Sequence, residues 1–182
     1  MMHALVIGGS GMLAGVCLWL AREGHRVTVI GRDRRKLDRL SGQNSRISGV
    51  SADYSQSAAF SETLNELMKQ RGPAGLVVAW MHHSEERVIA QTADAIRLAG
   101  GADFAWHLYH VLGSSSNLDE ILRSVPVPES CCYHQVQLGF VIEGDRSRWL
   151  THEEISGGVI ECIRHHHRRH VVGTLEPWDR RP

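Results

Sequence analysis

The 182 residues allow one domain with a core of useful size, and 42% hydrophobic against 22% charged residues is an ordinary globular balance. Twenty basic and twenty acidic residues leave a formal charge of zero, so no net field favours nucleic acid or an anionic membrane as partner. The most apolar stretch, 12–21, is too short to span a bilayer, and the first apolar run is strand-length without a basic flank, so neither a membrane segment nor a leader is expected.

Cys17, Cys131, Cys132 and Cys162 show no metal-type spacing, so no metal site is expected and reduced thiols in a cytoplasm fit best.

In chain order, the apolar run Ala4–Ile7 feeds into Gly8, Gly9, Gly11 and Gly15, and a segment with helical apolar spacing (Leu13, Val16, Cys17, Leu20) follows. Strand, tight glycine turn and helix are the layout of a dinucleotide-phosphate site. The glycines permit the turn, the close approach of backbone to pyrophosphate, and tight helix–strand packing. The helix start adds free N–H groups and partial positive charge. Glu23-Gly24-His25 reads as a turn and Arg26–Ile30 as a β-branched second strand. The basic run Arg32 to Lys36 leads into a helix with Leu37 and Leu40, and Arg46–Val50 reads as a third strand ending near Ala52-Asp53-Tyr54.

Ser55 or Ser57 can cap the next helix, in which Phe60, Leu64, Leu67 and Met68 recur at helical spacing. Gly75–Trp80 is a continuous apolar run, as a central parallel strand buried on both faces requires. A helix over 85–99 stops at Gly100-Gly101, Phe104–Leu112 is a fifth strand, and Asn117–Ser124 is a short helix. Tyr133–Ile142 reads as a sixth strand. Thr151 and Glu154 form a capping box for the last helix, with Leu150 stapled on Ile155. This alternation predicts a Rossmann-like doubly wound parallel sheet of about six strands, order 3-2-1-4-5-6, with helices on both faces. Residues 1–170 are expected to form one NADP-binding domain, and 171–182 a C-terminal tail.

At the end of the second strand, an NAD-selective site carries an acid for the ribose 2′-OH. Here Gly31 is followed by Arg32, with Arg34, Arg35 and Lys36 close behind. Cations at a helix N-terminus oppose its dipole unless a phosphate sits among them, and arginine's fork suits phosphate. The expected cofactor is therefore NADP(H), although a solvated basic face with Asp33 as a helix cap accounts for the same residues. Asp53, at the end of the third strand, is either an adenine contact or a loop cap.

These residues resemble the short-chain dehydrogenase/reductase superfamily. The likeness lies in Gly8-Gly9-Ser10-Gly11 with Gly15, the Gly31-Arg32 step, Ala52-Asp53, the Ser114-Ser115-Ser116 run, and the late helix from Trp149 to Ile163. It implies a Rossmann fold, a nicotinamide cofactor, and a homodimer or homotetramer. The expected cofactor contacts are Gly8, Gly9, Ser10, Gly11, Met12, Leu13, Arg32, Arg35, Asp53, Tyr54, Ala79 and Trp80.

The chain departs from that family at its centre. The family's Tyr-x-x-x-Lys pair is absent, because the only lysines are Lys36 and Lys69 and the residue four after Tyr133 is Gln137. By the strand-end rule the polar candidates are His82 and His83, Ser114 and Ser115, and Tyr133. Histidine is the side chain best poised for proton donation near neutral pH, so His82 with Ser115 and Tyr133 form the expected catalytic set.

Two other clusters carry blander expectations. The run Arg164 to Arg169 with His170 fits solvated cations at a helix C-terminus. His107 and His110 face opposite sides of the fifth strand as packed or interface residues. The leading expectation is an NADP(H)-dependent reductase of a small carbonyl or imine. The alternative is a non-catalytic NADP(H)-binding redox sensor or partner subunit, with a flavin reductase or nucleotide-sugar activity as a third option.

Overall fold

A computed structural model describes residues 1–182, and its first element bears out the apolar start of the chain. His3–Ile7 forms β1, every residue of it buried, and Ala14–Arg22 forms α1. Arg26–Gly31 (β2), Arg34–Ser41 (α2), Ile47–Ser51 (β3) and Ser57–Arg71 (α3) follow. Then come Ala74–Trp80 (β4), Glu85–Gly100 (α4), Trp106–Leu112 (β5), Leu118–Ser124 (α5) and Cys131–Leu138 (β6). Phe140–Glu143 (β7), Arg146–Trp149 (β8), His152–His165 (α6) and Arg169–Val172 (β9) complete the chain, before a short 3₁₀ turn at Trp178–Arg180.

The main sheet runs β3-β2-β1-β4-β5-β6-β9, with every neighbouring pair parallel. This is the doubly wound order read from the sequence, extended by one strand. Side chains alternate across it with period two. Ala4, Val6, Val29, Val78, Tyr109 and Val136 pack against α1, α2 and α6. Leu5, Ile7, Val77, Ala79, Leu108 and Tyr133 pack with the α3 and α4 residues Phe60, Leu64, Val88 and Ile89. The chain reverses direction across the sheet between β1 and β4, which opens a crevice at their carboxyl ends.

The structure corrects several local expectations. The sixth strand ends at Leu138 rather than Ile142, because a Cβ on Gly139 would lie 2.1 Å from the Thr174 carbonyl oxygen. Past that close approach, Phe140–Glu143 turns through Gly144 (φ +63°) into an antiparallel ribbon with β8, outside the main sheet. The segment 171–182 is not wholly a tail: Val171 and Val172 belong to β9, and Phe140 bridges to Thr174. Four residues are too few to show a period, which is why β9 was illegible.

The basic stretch after residue 164 is not all helix end either. α6 stops at His165, His166 takes the left-handed conformation (φ 52°), and Arg169 bonds Gln135 and Asp119 from β9. Neither Ser55 nor Ser57 caps α3: the N-cap position is Gln56 and no side chain bonds there. The capping box of α6 forms as read, with Glu154 N–H on Thr151 Oγ1 (3.2 Å) and Thr151 N–H on Glu154 Oε2 (2.8 Å). Asn117 caps α5 by accepting from Glu120 N–H. No helix is long and apolar enough to cross a membrane.

Candidate functional site

The turn between β1 and α1 separates glycines the protein itself requires from one it does not. Gly8 has φ +78° and donates its N–H to the Ile30 carbonyl at 3.0 Å. A Cβ there would stand 2.2 Å from the Trp80 carbonyl oxygen. A Cβ on Gly9 would meet Val6 Cγ1 at 2.3 Å, and one on Gly15 would meet Ser156 Cβ at 2.8 Å. Gly11 differs. The nearest atom to its Cβ position is His152 Cε1 at 4.0 Å, so nothing in the fold needs a glycine there. A ligand that approaches the backbone does.

The start of α1 is also left open. Leu13 occupies the N-cap and offers no side-chain bond, and no acid lies in the first turn. The N–H groups of Ser10, Gly11, Met12 and Leu13 donate to no group in the chain. Free donors at a helix start, with the helix dipole behind them, are an anion site.

These atoms border a cleft of about 300 Å³ at the carboxyl ends of β1, β2 and β4. Of the expected cofactor contacts, Gly8, Ser10, Gly11, Met12, Arg32, Tyr54 and Trp80 line it. Gly9, Leu13 and Ala79 are buried beneath it in the core, where they shape the turn and the strand end. Arg35 lies exposed on α2, outside the lining. Asp53 also falls outside: its carboxylate accepts from Ser55 N–H at 2.9 Å. Ser55's amide and hydroxyl, aided by the Arg32 charge, hold that carboxyl below the usual carboxylate range.

Ile30, Gly31, Asp33, Lys36 and Ala52 line the cleft although they were not expected contacts. All five sit at the ends of β2 and β3 or in the first turn of α2, so the strand-end rule could have found them. Asp33 Oδ1 accepts from Lys36 N–H at 3.2 Å and caps α2, the role its alternative reading gave it. Neither Arg32 nor Lys36 has a carboxylate at ion-pair distance, whereas Arg34 pairs with Asp38 at 3.3 Å. Two unpaired cations and the residues bearing three free amides, Ser10, Gly11 and Met12, therefore line one cleft, and these donors fit a phosphate-bearing dinucleotide.

The expected catalytic set is not brought together. His82 lines the cleft, its ring edge-on to Trp80 at 5.4 Å, and its backbone N–H donates to the Tyr54 hydroxyl at 3.2 Å. Ser115 is exposed on the β5–α5 turn and does not reach the cleft. Tyr133 is buried near the amino end of β6, paired in register with Leu108. Its hydroxyl meets His110 Nδ1 at 2.8 Å, and burial raises its pKa far above the ordinary value. The strand-end rule selects carboxyl ends, and Tyr133 sits at the other one. Of the expected catalytic set only His82 lines the cleft, where Tyr54 lies beside it.

The fold is that of the short-chain dehydrogenase/reductases. Over 98% of this chain it superimposes on 83% of a short-chain dehydrogenase from Novosphingobium aromaticivorans (TM-score 0.68, 12% identity). Over 94% it matches 92% of the citronellol catabolism dehydrogenase of Pseudomonas aeruginosa (TM-score 0.67, 13% identity). An actinorhodin polyketide ketoreductase solved with NADPH shares 77% of this chain and 70% of its own (TM-score 0.60, 14% identity). No family model and no curated protein matches the chain.

Proposed function

We propose that this chain is an NADP(H)-dependent oxidoreductase that reduces a small carbonyl or imine by hydride transfer. The observation that carries the reading is the uncapped start of α1, where Ser10, Gly11 and Met12, whose N–H groups are free, line a cleft together with Arg32 and Lys36. The ketoreductase that shares the fold was solved with NADPH, which supports the same cofactor here. When bound, the cofactor supplies the hydride.

The chain's residues do the rest. The amides of Ser10 to Leu13 hold the pyrophosphate, and Arg32 with Lys36 takes the 2′-phosphate through charge-assisted bonds. Trp80 forms an apolar wall that excludes water, and His82 offers its imidazole proton to the developing alkoxide or amine. A second reading, a non-catalytic NADP(H)-binding sensor or partner subunit, is favoured by α5. That helix is seven residues long and buries none of them, where the family carries its Tyr/Lys helix.

One titration tests both. NADPH and NADH are added to the protein while tryptophan-to-nicotinamide energy transfer is followed, with Arg32→Ala alongside. Tight NADPH binding, weakened by about tenfold or more in the variant while NADH binding is unmoved, is expected from loss of a charge-assisted phosphate contact. Absence of binding by either nucleotide overturns both readings. Turnover of a carbonyl and imine panel by wild type and His82→Gln then separates them, since a sensor turns over nothing and His82→Gln lowers only the reductase's kcat.

A further inference from the structure

We propose that His107, Cys132 and His134 form a zinc-class cation site at the amino ends of β5 and β6, on the α6 side of the sheet. It lies at the opposite end of the strands from the nucleotide cleft and does not depend on that cleft's function.

The register of two parallel strands builds the cluster. His107 pairs with Cys132, and His134 follows two residues on along β6, so all three side chains leave the same face. One ligand atom from each lies within 4.8 Å of the others. His107 Nδ1 is 3.1 Å from His134 Nε2. Tetrahedral zinc, with Zn–N bonds of about 2.0–2.1 Å, sets two ligand nitrogens about 3.3 Å apart. The pair is already near that spacing.

The surroundings fix the ligand atoms. His134 donates its Nδ1–H to the His167 carbonyl at 2.8 Å, which leaves Nε2 as the lone-pair nitrogen turned towards His107. An imidazole held through its far nitrogen by a carbonyl is the outer-shell arrangement of zinc-bound histidine. Tyr109 stacks on the His134 ring at 4.3 Å with 9° between planes, so the ring cannot swing away freely. Two imidazoles and a thiolate select a borderline-soft ion and disfavour Mg²⁺ or Ca²⁺. On binding, the Cys132 thiol proton leaves to solvent, and the His107 proton moves from Nδ1 to Nε2. His166, whose ring lies 5.3 Å from that of His107, is the nearest further donor, and otherwise water completes the shell.

Cys17 and Cys162 are fully buried in the core, and Cys131 leaves the face of β6 opposite to Cys132, so none of them belongs to the site. The histidines at the end of α6 and after it compete for the ion. His165, His167 and His170 stack in a row on the surface at 5.5 Å spacing and can take up metal without any thiolate.

The test is a titration of the reduced full-length protein with Co²⁺, followed by displacement with Zn²⁺. Expected are a near-ultraviolet thiolate-to-cobalt charge-transfer band, its loss in Cys132→Ser, and affinity in that variant lower by about tenfold or more. The band persists in the triple variant His165→Ala, His167→Ala, His170→Ala, whose residue 167 keeps its backbone carbonyl. Zn²⁺ is expected to raise the unfolding midpoint of wild type and not of Cys132→Ser. A wild type without the band, a band that survives Cys132→Ser, or one lost in the triple variant overturns the site. Circular dichroism checks folding, and His107→Gln serves in place of Cys132→Ser should that variant unfold.

Discussion

The two ends of the sheet's carboxyl edge treat their polar groups in opposite ways. At β1, β2 and β4 the chain leaves four amides without acceptors and two cations without carboxylates. Beyond β5 and β6, glutamine side chains tie the following loop and helix back onto the sheet. Gln137 Nε2 donates towards the carbonyls of Gly113, Ser114 and Ser116 (3.3, 3.2 and 3.0 Å), and Gln135 Nε2 donates to the Leu118 carbonyl at 2.8 Å. Gln135 Oε1 accepts from Arg169 Nε at 3.0 Å. Buried polar groups cost free energy unless they are paired, so a paired network holds a fold together while an unpaired set beside a cleft awaits a ligand. In this chain the loop and helix beyond β5 and β6 are tied down by hydrogen bonds within the chain, and the cleft at β1, β2 and β4 keeps its donors open.

The contrast is broken hardest at Gly8. Gly8→Ala forces a left-handed side chain against the Trp80 carbonyl, and that backbone atom has nowhere to go. Strain of this kind plus the clash is expected to cost about 3 kcal/mol or more in chemical denaturation. A loss under about 1 kcal/mol would show that the turn relaxes and that Gly8 is not structurally obligatory.

The closed end is sharpened through His110. Burial pushes this imidazole down to about 4, and its Nε2 has no partner in the chain. Above pH 6.5 the ring is neutral folded and unfolded alike. Below that the unfolded chain takes up the proton and the folded one does not, so stability falls as pH drops from about 6.5 to 4. The contribution is about 2–3 kcal/mol across that window. The acid limb of stability against pH should flatten by this amount in His110→Phe, whatever the variant loses at pH 8 through Tyr133. Parallel curves would mean that His110 titrates normally in the fold. His3, also lowered by burial, adds a slope common to both proteins.

What was legible follows the range of each signal. The strand order, the glycine turn and the α6 capping box are written in short windows, where sterics and spacing act between near neighbours. The cleft lining came from strand ends, so Arg32, Tyr54 and His82 could be placed, while Lys36, named with the basic run, and Ala52, named at the third strand's end, were not counted as contacts. Ser115 and Tyr133 were chosen by the strand-end rule, but Ser115 is exposed beyond β5 and Tyr133 is buried near the amino end of β6. The His107–Cys132–His134 cluster was illegible for another reason. His107 lies 25 residues before Cys132 and 27 before His134, and only the β5–β6 register brings it to them. Local spacing cannot carry that information.

Gly11 gives the smallest stability effect and the most discriminating one. Its Cβ position meets nothing closer than His152 at 4.0 Å, and its φ is not in the left-handed region. Gly11→Ala should therefore change stability by no more than about 0.5 kcal/mol in denaturant, the range of an unconstrained surface site. Its methyl group would nonetheless stand in the cleft beside the free amides, where a pyrophosphate must approach backbone closely. NADPH binding in the energy-transfer titration is expected to weaken by about tenfold or more, a cost of about 1.4 kcal/mol in binding. A stable Gly11→Ala that binds NADPH as wild type does would mean that the pyrophosphate does not approach the Gly11 backbone closely. A Gly11→Ala that loses stability with binding would make Gly11 a fold residue like Gly8, and the contrast between the two ends would then rest on the amides alone.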